Sequence, residues 1–338
     1  MEAYYYAHLS KAHQEAYHAM LSGLRAVAPA FPVPRLEGQE LAEILLQLRL
    51  DHPEIFYVTN YSYRFYRDAS HVELVPEYLF EKKKILAHRE ALTARIEKLC
   101  RPVREKREWD KLLFVHDFIC QNVRYDKLKK AYSHEIIGPL TQGVSVCEGI
   151  AKAVKSLCDQ LGIWCVIPIS GNNPEKGIKY RHTWNIVRLD GKYYHLDATF
   201  DNTLTGEGPI RYDYFCLDDR AIFRDHEPVL FSVPPCSDSS RFYYREKKLS
   251  FTKEEEVVRR AAQAIRKNLS FLFHWRGSYL TRDVLLCLCE KLEQAAAEKG
   301  KYVQISLNWP QAVLQADFSV QAPAQEIVTQ QANEGELL

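Results

Sequence analysis

At 338 residues, 46% hydrophobic and 26% charged, the chain is ordinary globular protein with room for two or three domains. A formal net charge of +1 gives no electrostatic pull towards nucleic acid or a membrane surface, so neither is expected as a partner. No stretch approaches the roughly 18 uninterrupted apolar residues of a membrane span, and the opening MEAYYYAHLSKAHQEAY lacks the basic start and apolar core of a signal peptide. The nine cysteines offer no Cys-x-x-Cys pair or Cys/His cluster, which predicts neither disulfides nor a structural metal and places the chain in a reducing cytoplasm.

Residues 2–28 show helical spacing ending near Pro29, and the Pro-rich FPVPRLEG that follows reads as a connection. A helix over 39–50, a hairpin through 61–75 and a charged helix over 78–99 come next. The basic run 82–111 is interleaved with glutamates and reads as a solvated face. This region, 1–104, is predicted to be mostly helical with one hairpin. It carries no chemical motif, and its expected task is to pack on the part that follows.

The segment GVSVCEGIAKA, 143–153, carries the first chemical signal. Ile150, Ala151, Val154, Leu157, Cys158 and Leu161 recur at three- and four-residue steps, the stripe of an amphipathic helix, and Gly162 supplies its stop. Cys147 then sits in the first turn, where unpaired N–H groups and the positive end of the helix dipole favour a thiolate over a thiol. Gly149 keeps the approach to it uncrowded. The other cysteines fall in apolar patterns, among them Cys120, Cys158, Cys165, Cys287 and Cys289, and read as small buried hydrophobes.

RHTWNIVRLDG (181–191) and YYHLDATFD (193–201) read as two strands of a hairpin turning at Asp190-Gly191. Pairing Leu189 with Lys192 sets Trp184 opposite Asp197 and His182 opposite Thr199, all on one face. His182 and Asp197 become diagonal neighbours, with Cβ atoms about 7–8 Å apart, a gap an imidazole–carboxylate hydrogen bond can span. Cys147, His182 and Asp197 are therefore candidates for nucleophile, base and orienting acid. His195 is a weaker rival base, since its expected strand partner Ile186 offers nothing to orient it. Trp184 reads as a core or site-wall aromatic, Asn185 as a structural hydrogen-bonding residue, and Asp201 with Asn202 as a turn.

Taken together, Cys-Glu-Gly-Ile-Ala-Lys-Ala, His-Thr-Trp-Asn and His-Leu-Asp-Ala-Thr-Phe-Asp resemble the transglutaminase-like superfamily, particularly its bacterial branch. VHDFICQNVRYD (115–126) and RYDYFCLDDRAIFRDH (211–226) are similar to segments that precede and close the motif in bacterial members. The resemblance implies an α+β fold over 105–233, a papain-like core in which a helix carrying the cysteine packs against an antiparallel sheet. It implies the roles already given to Cys147, His182 and Asp197. Gln142 is the candidate side chain for the oxyanion, and Trp184 and Tyr125 are candidates to line the substrate cleft.

Beyond Pro234, RFYYREKKLSF reads as a strand, and two helices and the strand KYVQISLNW follow, a small α+β domain over 234–320. The tail 321–338 reads as disordered. SGNNPEKG, 170–177, reads as a turn that could serve as a lid. No cofactor and no calcium loop are expected. The expected function is a thiol enzyme acting on a protein or peptide amide, hydrolytic rather than crosslinking. The alternative is a catalytically silent domain that serves as an interaction module.

Overall fold

The computed structural model describes residues 3–321; Glu2 of the first predicted helix and 322–338 of the predicted tail lie outside the described residues. In place of one opening helix there are two, α1 (Tyr4–Ala7) and α2 (Lys11–Arg25). The break falls at Ser10, whose hydroxyl accepts the His13 N–H at 3.3 Å and starts α2 afresh. The Pro-rich connection is in fact a strand, β1 (Phe31–Pro34). After α3 (Gly38–Asp51), β2 (Val58–Phe65) and β3 (His71–Tyr78) form the predicted hairpin, and β1 joins its β3 side in the order β1-β3-β2. Prolines are tolerated there because an edge strand can leave its far side unpaired. Asp51, buried at the end of α3, accepts the Tyr5 and Tyr6 N–H groups at 3.2 and 3.1 Å and the Tyr17 hydroxyl at 3.0 Å, which ties α1 and α2 to it.

The long helix α4 (Lys82–Cys100) and α5 (Glu108–Asn122) lead to two short parallel strands, β4 (Arg124–Tyr125) and β5 (Val144–Ser145). Then comes α6 (Cys147–Leu161), which opens at Cys147 itself and stops at Gly162 with φ 76°. Its predicted stripe is buried throughout. α6 lies against an antiparallel sheet of β6 (Trp164–Val166), β7 (Asn185–Leu189), β8 (Lys192–Leu196) and β9 (Phe215–Leu217), in that order. This is the expected α+β arrangement. One continuous apolar cluster runs from Leu24 and Leu48 through Ile85 and Leu112 to Leu157, Leu196 and Phe215, so the N-terminal helices and the sheet share a core. Each such fully buried side chain contributes about 1.5–3 kcal/mol.

The β7–β8 hairpin turns at Asp190 and Gly191, both with positive φ, and pairs in the counted register from Leu189↔Lys192 to Asn185↔Leu196. The predicted second strand is too long, however. β8 ends at Leu196, and Asp197 becomes the N-cap of α7 (Ala198–Thr205), its Oδ1 accepting the Thr199 and Phe200 N–H groups at 2.8 and 3.0 Å. The pairs Trp184–Asp197 and His182–Thr199 do not form, because the cap takes the backbone out of the ladder. Asp201 and Asn202, expected in a turn, are buried in α7.

After α8 (Asp219–Ile222), RFYYREKKLSF is mostly not a strand: it folds as α9 (Tyr243–Glu246) and the two-residue β10 (Ser250–Phe251). There follow α10 (Glu254–Lys267), β11 (Phe271–Trp275), α11 (Arg282–Ala297), β12 (Tyr302–Asn308) and β13 (Val313–Ser319). The strands form a separate four-stranded sheet in the order β10-β11-β13-β12. The sequence reading stopped at Trp309 and missed β13. No helix among the described residues is long and apolar enough to cross a membrane.

Candidate active site

The thiol is positioned by a close-packed loop. Asp126 accepts the Leu128 and Lys130 N–H groups at 3.0 Å each and the Ser133 hydroxyl, which shapes the chain leading to Ser133. Ser133 O in turn accepts the Val146 N–H at 3.1 Å and the Ser145 hydroxyl at 2.9 Å. A Cβ on Gly149 would overlap Ser133 O and Ser145 Oγ. The glycine is required on the side of the helix that meets this loop, not to clear an approach to the sulfur.

Beneath the first turn of α6 lies an ion network that the sequence reading did not find. Lys152, fully buried, donates to Glu135 at 2.8 Å, Glu148 at 2.7 Å and His134 O at 3.2 Å, and the Arg49 guanidinium also pairs with Glu135. Burial pushes the Glu148 carboxyl up, but the Lys152 charge outweighs it and holds the group well below the carboxylate range. Glu148 and Lys152 at i,i+4 were the available signal. Their third partner, 13 residues upstream of Glu148, was not visible. Lys152→Met is expected to destabilise the fold by about 3–5 kcal/mol in urea unfolding, because it removes the buried partner of Glu135 and of the half-buried Glu148 and leaves Glu135 with Arg49 alone. A loss below about 1 kcal/mol would equal that of an exposed pair and contradict the assignment.

His182 lies just outside β7. Its N–H donates to Ser170 Oγ at 3.3 Å, its carbonyl accepts the Ser170 N–H at 2.9 Å, and Thr183 bridges to Ile169. His182 Nε2 and Asp197 Oδ2 are 2.6 Å apart, both groups buried. The two predicted partners thus meet, though across a loop and a helix cap instead of diagonally on a hairpin. Nδ1 of His182 is buried with no hydrogen-bond partner among the described residues, as is the Thr183 hydroxyl.

The Cys147 thiol answers to both residues. Burial pushes it up, but the neighbouring His182 imidazole, and after it Thr183, bring it below the ordinary thiol value. Burial disfavours the His182 imidazolium, yet Asp197 and Cys147 raise its pKa to about 10. The Asp197 carboxyl is held well below its usual range, burial notwithstanding, by His182 and then by a second histidine, His226.

His226 was absent from the sequence reading. Its Nε2 lies 2.9 Å from Asp197 Oδ2 and its Nδ1 2.8 Å from Asp225 Oδ1. Asp225 Oδ2 accepts the Tyr214 hydroxyl at 2.6 Å and the Gln311 side-chain amide at 3.3 Å, so a polar chain reaches from the β12–β13 turn to Asp197. His226 stands 29 residues from Asp197 with no periodicity linking them, and only its place at the end of RYDYFCLDDRAIFRDH marked it.

Other predicted residues stand differently. Gln142 is exposed, donates to Thr141 Oγ1 at 3.3 Å and precedes Gly143 at φ 63°; it forms no hydrogen bond with Cys147 among the described residues. Trp184 is 1% exposed and cannot line an open cleft. It lies parallel to the His182 ring at 5.8 Å and donates to His195 Nδ1 at 2.9 Å. Tyr125 is half-buried and paired abreast of Ser145, two residues before Cys147; burial, then the Cys147 and Asp197 charges, push its phenol upward. His195 does pair with Ile186, but it is oriented after all, by Asp219 at 2.8 Å, in a contact remote from the thiol in sequence and unforeseen.

Among the described residues, two groups could offer three ligand atoms to a metal, His182 with Asp197 and His226, and His195 with Asp219 and Cys236. In both, the histidine nitrogens concerned are already hydrogen-bonded to the carboxylate, and burial pushes the Cys236 thiol up, which disfavours the thiolate a metal needs.

Residues 97–198 match the family profile described as the transglutaminase-like superfamily. Among solved structures, a TGase is similar at 14% identity and a TM-score of 0.30, over 46% of this chain and 47% of that one. A Cytophaga hutchinsonii protein provisionally named a cysteine protease is similar at 12% identity and 0.23, over 41% and 61%. The chain thus spans less than two thirds of either. No curated protein matches it.

Proposed function

Since the segment 97–198 belongs to the transglutaminase-like superfamily, we propose that this protein is a thiol-dependent amide-bond enzyme working through Cys147, His182 and Asp197. The observation that carries the reading is the buried His182–Asp197 pair, Nε2 to Oδ2 at 2.6 Å, together with a cysteine that opens α6; a lowered thiol and a raised imidazole agree with it. A thiolate–imidazolium pair at neutral pH is the resting state such chemistry needs.

In this proposal the Cys147 thiolate attacks the carbonyl carbon of a protein or peptide amide, and the carbonyl π-electrons move to oxygen. As the tetrahedral intermediate collapses, the C–N bond breaks and His182 gives its proton to the departing nitrogen, leaving a thioester. Water, deprotonated by the now neutral His182, then attacks the thioester carbonyl; the C–S bond breaks, the acid leaves and the Cys147 thiolate and His182 imidazolium are restored, while an amine in place of water would give transamidation. Hydrolysis is the favoured outcome, because water needs no dedicated site. Asp197 keeps His182 in the tautomer whose Nδ1 faces the thiol and stabilises the charged ring. For the oxyanion, the first-turn N–H groups of α6 and the Tyr125 phenol, which retains its proton, replace Gln142 as donors.

The test is the pH dependence of iodoacetamide labelling at Cys147, read by peptide mass spectrometry in the wild type and in His182→Ala. A labelling midpoint below that of a free thiol, rising in the variant, is expected. An ordinary midpoint that ignores His182 would instead favour a silent docking module.

A further inference from the structure

The C-terminal sheet carries a feature that amide chemistry does not use. A cleft of ≈ 800 Å³ is lined by Arg245, Lys247, Lys248, Arg259, Arg260 and Arg276. Against these six cations stands one carboxylate, Glu256. None of the six forms an ion pair among the described residues. On a chain with a formal net charge of +1, an unpaired concentration of this kind is a local excess opposed by its own repulsion.

The positive field is felt by a neighbour. His274, paired with Ser250 across β10 and β11, is pushed down to about 3, by burial first and then by the charges of Arg245, Arg224 and Arg276. It stays neutral, and its Nδ1 is 2.8 Å from Ser250 Oγ, which also accepts from Arg276 Nε at 3.1 Å. The Arg276 guanidinium is thereby held against Ser250 of β10. Lys248 follows α9 with φ 54°, a left-handed position where glycine is the usual choice, so a cation is kept there at a steric cost.

We propose that this cleft binds a linear polyphosphate, free or as the tail of a nucleotide. Arginine forks match phosphate oxygens two at a time, and a chain of several phosphates carries enough charge to neutralise the six cations together. The cleft volume falls within the roughly 300–1,000 Å³ typical of small-ligand sites. A single-stranded nucleic acid would need exposed aromatic platforms for its bases, and the one aromatic in the lining, Phe251, is buried.

Calorimetry on the full chain with sodium tripolyphosphate and with ATP tests this, at about 50 and about 300 mM NaCl to read the screening. Tripolyphosphate is expected to bind, more weakly at the higher salt, and at least tenfold more weakly to Arg259→Glu/Arg276→Glu. Lys82→Glu/Lys83→Glu, on exposed α4 positions, changes the net charge equally and is expected to bind as the wild type does. Arg245→Gln/Arg259→Gln gives the same reading should the first pair disturb Ser250. Comparable ATP affinity would identify a nucleotide's phosphate tail as a ligand, and its absence a free phosphate chain. The proposal is overturned if tripolyphosphate produces no binding heat, if both charge-reversal pairs lose affinity equally, or if an oligonucleotide binds where tripolyphosphate does not.

Discussion

Cys147→Ala is expected to lower amide turnover by on the order of 10⁴-fold or more while leaving thermal unfolding close to wild type. The drop is large because the nucleophile itself is removed. Six of the other thiols are pushed up, Cys158 by its hydrogen bond with Cys165 and by burial, Cys216, Cys100, Cys236 and Cys289 by burial, and Cys287 by the hydrogen bond to Glu254. Alanine fits where the half-buried sulfur was, so the fold loses little. In the wild type, kcat/KM should rise with Cys147 ionisation below the ordinary thiol value and fall as His182 loses its proton near pH 10. Residual turnover in Cys147→Ala within tenfold of wild type would remove the thiol mechanism.

Asp197→Asn should cost roughly 10³–10⁴-fold in kcat, through the wrong His182 tautomer. Both oxygens of Asp197 are committed as acceptors, Oδ2 to His182 and His226 and Oδ1 to two backbone N–H groups. An amide cannot satisfy both sets, so one group of donors faces an NH₂. Stability should change with it. The Asp197 pKa is depressed in the folded state, so its contribution is present above the unfolded value of about 3.9 and is lost as pH falls towards the folded value. His182 is raised, so its contribution is complete below about 6.5 and is lost as pH rises through about 10. In Asp197→Asn the acid-side dependence should shrink, read by urea unfolding at stepped pH. His226→Gln keeps a donor to Asp197 but removes the imidazole that links it to Asp225. It should cost about a tenfold loss in kcat with little change in KM. An unchanged kcat would reduce His226 to packing.

The stripe of α6, its glycine stop and the register of β7 with β8 were legible because period and turn chemistry are local properties. Cys147, His182 and Asp197 became candidates for the same reason, each sitting beside a local signal. What escaped was set by distance along the chain. The cap at Asp197 competed with strand propensity in LDATFD, and nothing in that stretch alone decides between a strand and a helix start. Gln142 was placed by counting residues from Cys147, and a count along the chain does not register the left-handed Gly143 that lies between them. The Lys152–Glu135 and Asp197–His226 contacts join residues 17 and 29 apart, through loops that carry no period. β1 was read as a connection because proline signals a turn, although an edge strand accepts it too.

Asp197 serves the imidazole with one oxygen and starts α7 with the other. Genetic drift is therefore constrained unevenly. A lineage under no selection for turnover could shed the sulfur of Cys147 at almost no loss of folded protein, whereas replacing Asp197 would reduce abundance as well. Inactive descendants should consequently keep the aspartate and lose the cysteine first, and a scan scoring cellular abundance alone should rank Asp197 among the least replaceable positions and Cys147 among the most.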